Sequence, residues 1–311
     1  MKELRAKKCR ISTISPQAFQ QTTQLRLVDL SDNQISSLSN NTFPRISELV
    51  EFSAASNSLN NIDIVFSNAR RLKYLNLNNN YIEDITTALT ELSTLSKLNL
   101  KLNRIRFIRD ETFISNKNLE QLDLSLNKIE WLGANCFKGL LRLDFLDLRN
   151  NKLLALNGST SNLPALRVIY LNENTLSVLK EKDFPNNPEL RTIYASRNNI
   201  TSLERSFRNL DNLRTVWLQG NRLTAVHRKS FPEAAKALTA TPKLSFLDLS
   251  RNLLSKIEPS LIPKDVQALN IKGNKFSHFP LALVASLNLS SIKLAENPWR
   301  CDCEDYPFSQ W

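Results

Sequence analysis

Few residues able to do chemistry occur in this chain, and they are scattered. His227 and His278 are its two imidazoles, and Cys9, Cys136, Cys301 and Cys303 its four thiols, among 311 residues. A tetrahedral zinc site draws its ligands from closely spaced cysteine and histidine pairs. The one close pair, Cys301-x-Cys303, has no histidine at ligand spacing. No G-x-S-x-G, H-E-x-x-H, G-x-G-x-x-G or P-loop segment is present, so a nucleophile elbow, a zinc-protease helix or a phosphate cradle is not expected. Asp123 and Asp147 would supply two carboxylates for acid/base work, but such a pair needs a dry cleft to shift its pKa values. The expectation is a protein that is not an enzyme and carries no metal or cofactor. What remains is aromatic: Tyr170, Tyr194 and Trp217 follow one another at intervals of 24 and 23 residues.

That interval belongs to the whole chain. The pattern L-x-x-L-x-L-x-x-N-x-L recurs with its asparagine at Asn33, Asn57, Asn80, Asn103, Asn127, Asn151, Asn174, Asn198, Asn221, Asn252, Asn274 and Asn297, and Cys9 takes the same place 24 residues before Asn33. Spacings are 22 to 24 residues except for the 31 between Asn221 and Asn252. Apolar residues stand 8, 5 and 3 positions before each asparagine, as Leu119, Leu122 and Leu124 do before Asn127. The alternation predicts one short strand per repeat. Two or three aliphatics cannot form a core alone, but parallel strands stacked at about 4.8 Å bury one another's side chains in a continuous one-dimensional core.

After the asparagine, apolar residues at +2 and +5 (Ile129, Leu132) and an aromatic at +10 (Phe43, Phe113, Phe137, Phe184, Phe231) fill the outer side. The expected fold is therefore an α/β solenoid, a horseshoe with a parallel sheet on its concave face and loops and short helices on its convex face. The asparagine amide both donates and accepts, which suits it to satisfy backbone groups that the turn leaves unpaired. Cys9 reads as a small buried substitute at that position. Cys136, just before Phe137, reads as a buried thiol.

Two rungs depart from the pattern. The long interval contains FPEAAKALTATPKL, in which Glu233 to Leu238 reads as helix between Pro232 and Pro242; it is a bulge on the outer side or a contact element. In the rung of Asn151, Asn157-Gly158-Ser159-Thr160 replaces the phenylalanine and should loosen the outer layer.

The last rung runs into Asn297-Pro298-Trp299-Arg300-Cys301-Asp302-Cys303. The repeat with its distal phenylalanine, closing in NPWxCxC, resembles the extracellular leucine-rich repeat family: Toll-like receptors, Slit-type guidance proteins and secreted immune proteins. The resemblance divides the chain into a repeat array over 1–297, about 13 rungs, and the start of a cysteine-flanked cap over 298–311, whose two further cysteines would lie downstream. Cys301 and Cys303 are too close to bridge each other comfortably, so each is expected to need a distant partner. The start MKELRAKKCRISTIS has the charge of a secretory signal without its apolar stretch. The economical account is a piece of a longer ectodomain, truncated at both ends.

No apolar run reaches the 18 or so residues of a membrane helix; the best, Leu281 to Leu289, is broken by Ser286 and Asn288. A net charge of +11 favours acidic partners. Sequons at Asn40, Asn157, Asn199 and Asn288 mark glycosylation candidates, the first three after the strand in turns expected to be exposed.

Residues 6, 4 and 2 positions before each asparagine should point away from the core. The column at the fourth position reads Asp29, Ser53, Asn76, Asn99, Asp123, Asp147, Tyr170, Tyr194, Trp217, Asp248, Asn270 and Lys293, and its three aromatics are each expected to face solvent, since Ile169, Ile193 and Val216 fill the core. Three consecutive exposed aromatics form the candidate hot spot. Arg167, Arg191 and Arg214 line the edge where those strands begin, Asp123 and Asp147 form an acidic border, and Arg104, Lys128 and Lys152 form a second basic column. The basic columns are also what a solvated rim would look like. Together with the resemblance, this implies an extracellular, non-catalytic module, part of an innate immune receptor or secreted immune factor, holding a protein ligand or co-receptor on its concave face. A homo- or heterodimer is compatible with that reading. Adhesion or guidance is the alternative within the class, and an anionic glycan or nucleic acid bound by charge is the alternative outside it.

Overall fold

The computed structural model describes every residue except 17, 40–41, 44–45, 64, 227–229, 232–243, 279–280 and 301–311. The helix expected at Glu233 to Leu238, His227, Asn40, Cys301 and Cys303 lie outside the described residues. The chain divides into two compact units, Met1–Leu153 with Asn162–Leu166, and Leu154–Ser161 with Arg167–Trp311. Each is a parallel-sheet solenoid, one three-residue strand per rung. In the first unit Glu3–Arg5, Leu27–Asp29, Glu51–Ser53, Tyr74–Asn76, Lys97–Asn99, Gln121–Asp123 and Phe145–Asp147 pair in chain order. In the second, Val168–Tyr170, Thr192–Tyr194, Thr215–Trp217, Phe246–Asp248, Ala268–Asn270 and Ser291–Lys293 do the same. Registers match repeat to repeat, as in Leu98 against Leu122 and Ile193 against Val216. The apolar pattern demands this, since a one-residue slip would turn every leucine to the other face.

Every rung turns off its strand in the same way. The residue before the rung asparagine is left-handed, with φ between 53° and 69°, in all twelve rungs, a conformation that costs an ordinary side chain about 1–2 kcal/mol and glycine nothing. Gly220 and Gly273 hold it, and so do Asp32, Asn79 and Asn150, residue types that tolerate it. Leu102 and Leu126 hold it too, without that tolerance. The asparagine then satisfies what the turn exposes. Asn127 accepts the Ile105 N–H at 3.1 Å, and its amide donates to the carbonyls of Leu100, Leu124 and Ser125 at 2.9, 3.0 and 3.2 Å. The same set recurs at Asn57, Asn80, Asn103, Asn151 and Asn198.

The strand leucines are buried in all but the first and last strands, where Leu4 and Ile292 are half-buried, and the five expected phenylalanines form a buried outer spine. Phe19, Phe66 and Phe207 extend it, with ring centroids 5.8 Å apart from Phe113 to Phe137 and 5.7 Å from Phe207 to Phe231. Cys136 is fully buried beside it. The outer side is not loop and helix alone: Phe107–Ile108 pairs in parallel with Trp131–Leu132, and Val178–Lys180 with Ser202–Glu204. Pairs form there because the +5 residue returns to the core in each rung and brings the flanking backbone to strand distance. The short helices are the 3₁₀ turns Glu181–Asp183 and Pro259–Leu261 and the α-helix Leu281–Ser286.

Cys9 is a correction. It is exposed, its thiol donating to the Lys7 carbonyl at 3.4 Å, because among the described residues no rung lies on its other side to bury it. The rung of Asn151 is a second correction: its loop is not loosened. Gly158, Ser159 and Thr160 are buried. Asp183 of the next rung holds the loop instead, accepting the Gly158 N–H at 3.0 Å and the Lys180 N–H at 2.8 Å, while the Thr160 hydroxyl donates to the Asp183 carbonyl at 2.5 Å. Burial pushes the Asp183 carboxyl up from its ordinary range, against the pull of those two N–H donors. Asp183→Ala strands the buried Gly158 amide and the half-buried Lys180 amide and is expected to cost about 1–2 kcal/mol, read as a lowered denaturation midpoint with faster exchange of the Gly158 amide. At the other end Trp299 stacks on Phe276, with centroids 6.1 Å apart, and donates its indole N–H to the Leu294 carbonyl at 3.1 Å.

Candidate functional site

The fourth position before the rung asparagine has a structural occupation. In seven rungs an aspartate or asparagine there uses its Oδ1 to accept the N–H two residues on: Asp29 from Ser31, Asn76 from Asn78, Asn99 from Lys101, Asp123 from Ser125, Asp147 from Arg149, Asp248 from Ser250 and Asn270 from Lys272. These are Asx turns, and they secure the end of each strand. Tyr170, Tyr194 and Trp217 occupy this position in three consecutive rungs and cannot make the bond. In the rung of Tyr194 the Ser196 N–H goes instead to Asn172 Oδ1 of the preceding rung, at 3.2 Å.

What those rungs present is a stacked row. Tyr170 and Tyr194 lie 4.4 Å apart and 3° from parallel, and Tyr194 and Trp217 6.0 Å apart at 16°. Phe246, six residues before Asn252, extends the row at 4.6 Å and 40° from Trp217. All four are half-buried. In-register strands place equivalent side chains about one strand spacing apart, so the rings meet face to face and turn their edges outward. The Trp217 indole nitrogen is buried and among the described residues has no acceptor. Buried donors of this kind are rare in native structures. Phe246 was readable in principle, since the sixth position faces the same way as the fourth, but a single aromatic there does not stand out.

Arg167 and Arg214 are exposed and Arg191 half-buried beside the row, their backbones linked by Arg191 N–H to Arg167 O at 2.9 Å and Arg214 N–H to Arg191 O at 2.8 Å. Arg191 also lies 3.6 Å from Glu189. In the first unit, Arg104, Lys128 and Lys152 are exposed as expected.

Asp147 is a correction. It is fully buried rather than solvent-facing, and so is Asp248. Burial, opposed by the Arg149 backbone N–H and reinforced by the neighbouring Asp123 charge, pushes the Asp147 carboxyl up to about 6. It faces Arg149 Nη2 at 2.9 Å and is withdrawn from any partner. Asp123 is half-buried, its Oδ1 taken up by the amide and hydroxyl of Ser125. The acidic border therefore reduces to turn-forming residues. A shallow depression in the same sheet face, missed in the sequence, is lined by Tyr74, Asn76, Lys97, Asn99, Asp123 and Phe145, and Lys97 Nζ sits 5.8 Å above the Tyr74 ring.

Among the sequons, Asn157 and Asn288 are exposed, but Asn199 is only half-buried rather than free in a turn, its backbone held to the Leu176 carbonyl at 3.0 Å. Leu289 beside Asn288 is half-buried. Among the described residues no cluster of histidine, cysteine and carboxylates fit to hold a metal occurs, and no helix is long and apolar enough to cross a membrane.

Comparison with known proteins agrees with this architecture. The leucine rich repeat family profile matches residues 1–59, 93–153, 142–200 and 164–223. No curated protein matches the sequence significantly. Among solved structures, an internalin from Listeria monocytogenes superposes with a TM-score of 0.71 at 20% identity, covering 99% of this chain and 84% of that one. The leucine-rich repeat domain of APL1B gives 0.70 at 20% identity, with 94% and 87% covered. The Toll–Spatzle complex of Drosophila gives 0.65 at 20% identity, with 99% and 56% covered. At these identities the likeness is one of fold. Matched over more than half its length and built as stacked strand-and-turn rungs, the chain belongs to the leucine-rich repeat family.

Proposed function

We propose that this chain is an extracellular, non-catalytic recognition module that holds a protein partner on the outward face of its sheet, at Tyr170, Tyr194, Trp217 and Phe246, flanked by Arg167, Arg191 and Arg214. One observation carries the reading. Three consecutive rungs give up an Asx turn that seven others keep, and gain half-exposed aromatics and an orphaned indole N–H. Stability alone favours the opposite choice; a partner that covers the rings and reaches the N–H repays it.

The stacking selects among partners. Sugars and unstacked bases bind to open ring faces, and Tyr194 is stacked on both sides, by Tyr170 and Trp217, while Trp217 has Tyr194 on one face and Phe246 tilted at 40° against it. Ring edges suit the carbonyls and aliphatic groups of a protein surface. Two similar structures are complexes by their descriptions, LRIM1 with APL1C and Toll with Spatzle, the latter named as a hub in development and innate immunity. This favours an immune receptor or secreted immune factor over adhesion or guidance.

Trp217→Ala is expected to leave folding intact and weaken binding to the protein partner by more than about 1 kcal/mol. Calorimetry at low and high salt tests both parts. Unchanged affinity in the variant removes the row from the interface, and a steep fall of affinity with salt replaces the protein with a polyanion.

A further inference from the structure

A second surface lies in the first unit, on the flank that follows the strands. Leu102 and Leu126 are exposed at 44% and 37% and stand on adjacent rungs, joined where Leu102 N–H meets the Ser125 carbonyl at 3.0 Å. Both are left-handed, at φ 55°. Asn79 and Asn150 hold the same turn in the flanking rungs, so the alternative is present in this chain and is better on both counts, backbone strain and exposure to water. Folding therefore gives no reason for two leucines here.

Further along the flank, Tyr81, Phe107 and Trp131 are exposed, the last two side by side in their parallel pair. Between the leucines and these rings stand Arg104, packed 4.1 Å over Tyr81, and Lys128. Among the described residues neither has a carboxylate at ion-pair distance, while Glu130 is already shared by Arg106 at 3.3 Å and Lys152 at 3.8 Å.

We infer that this flank is a docking surface for an acidic amphipathic segment of a partner protein, with apolar side chains against Leu102, Leu126, Phe107 and Trp131 and carboxylates against Arg104 and Lys128. The position of the charges selects this occupant. A bilayer would draw the two cations, set within the apolar strip, away from water, whereas lipid-facing cations stay at the rim of an inserted face. A second copy of the chain would set like charges against each other in the same place. An acidic segment supplies the missing carboxylates.

The test uses the whole chain and its Leu102→Asn/Leu126→Asn variant. The probe is a labelled synthetic peptide that folds as an amphipathic helix, leucine on one face and glutamate on the other. A scrambled peptide of the same composition and vesicles containing phosphatidylserine serve as comparisons. The variant should melt at or above the temperature of the original, because asparagine relieves the turn, and should bind the amphipathic peptide at least about ten-fold more weakly. Equal binding of the peptide by both proteins overturns the inference. So does equal binding of the scrambled peptide, no binding of the amphipathic one, or a loss seen only with vesicles.

Discussion

Asn127→Ala is expected to destabilise the first unit by about 3–5 kcal/mol, and alanine at the equivalent Asn80 or Asn103 by a similar amount. The residue is buried, and its amide serves one N–H and three carbonyls on its own rung and the preceding one. Alanine removes all four bonds and strands one N–H and three carbonyls in the interior. Denaturant titration checks the magnitude. Hydrogen exchange checks the location: the Ile105 amide, which donates to Asn127 Oδ1, should lose its protection, while amides several rungs away keep theirs, because each rung contacts only its neighbours. Asn33→Ala should cost less than half as much, since Asn33 is only half-buried and water can reach the groups it leaves.

Asp147→Asn is expected to stabilise the chain by about 2 kcal/mol at neutral pH. With the carboxyl pushed up to about 6 by burial, the folded chain between roughly pH 4 and 6 holds a proton that the unfolded chain has released. Stability therefore falls as pH rises through that window, and the full penalty is present above it. Arg149 Nη2 at 2.9 Å does not cancel the cost, since Oδ2 makes no hydrogen bond in that arrangement. Asparagine keeps the Oδ1 bond to the Arg149 N–H, as Asn76, Asn99 and Asn270 do at the same position, and has no charge to bury. Melting curves from pH 4 to 8 should show the original losing stability across the window and the variant much less. A variant that is less stable at pH 7 would show that the Arg149 pair outweighs desolvation.

Much of this architecture was legible because a solenoid repeats its contacts at fixed sequence offsets. The asparagine bonds that join Asn127 to Ile105 and to Leu100 span 22 and 27 residues, so the period that reveals the rung also reveals its partner. The strand leucines, the phenylalanine spine and the sheet register follow from the same arithmetic. The aromatic row was visible for that reason too, as three large rings at one place in successive repeats.

What the sequence by itself determined, then, is whatever depends on position within the repeat. What only the tertiary structure decided depends on how particular neighbours fill space around that position. Asp123 and Asp147 are equivalent by offset, yet one is half-buried and the other fully enclosed, because exposure is set by the side chains of adjoining rungs and by Arg149 lying across the carboxylate. Asp183 bonding to a loop that lacks its phenylalanine, Phe246 continuing a row from a different offset, and two leucines carried on left-handed turns beside cations with no carboxylate at ion-pair distance among the described residues are of the same kind. They arise where one rung meets the next in three dimensions, and there the period is silent, because it records which places are equivalent and not what stands beside them.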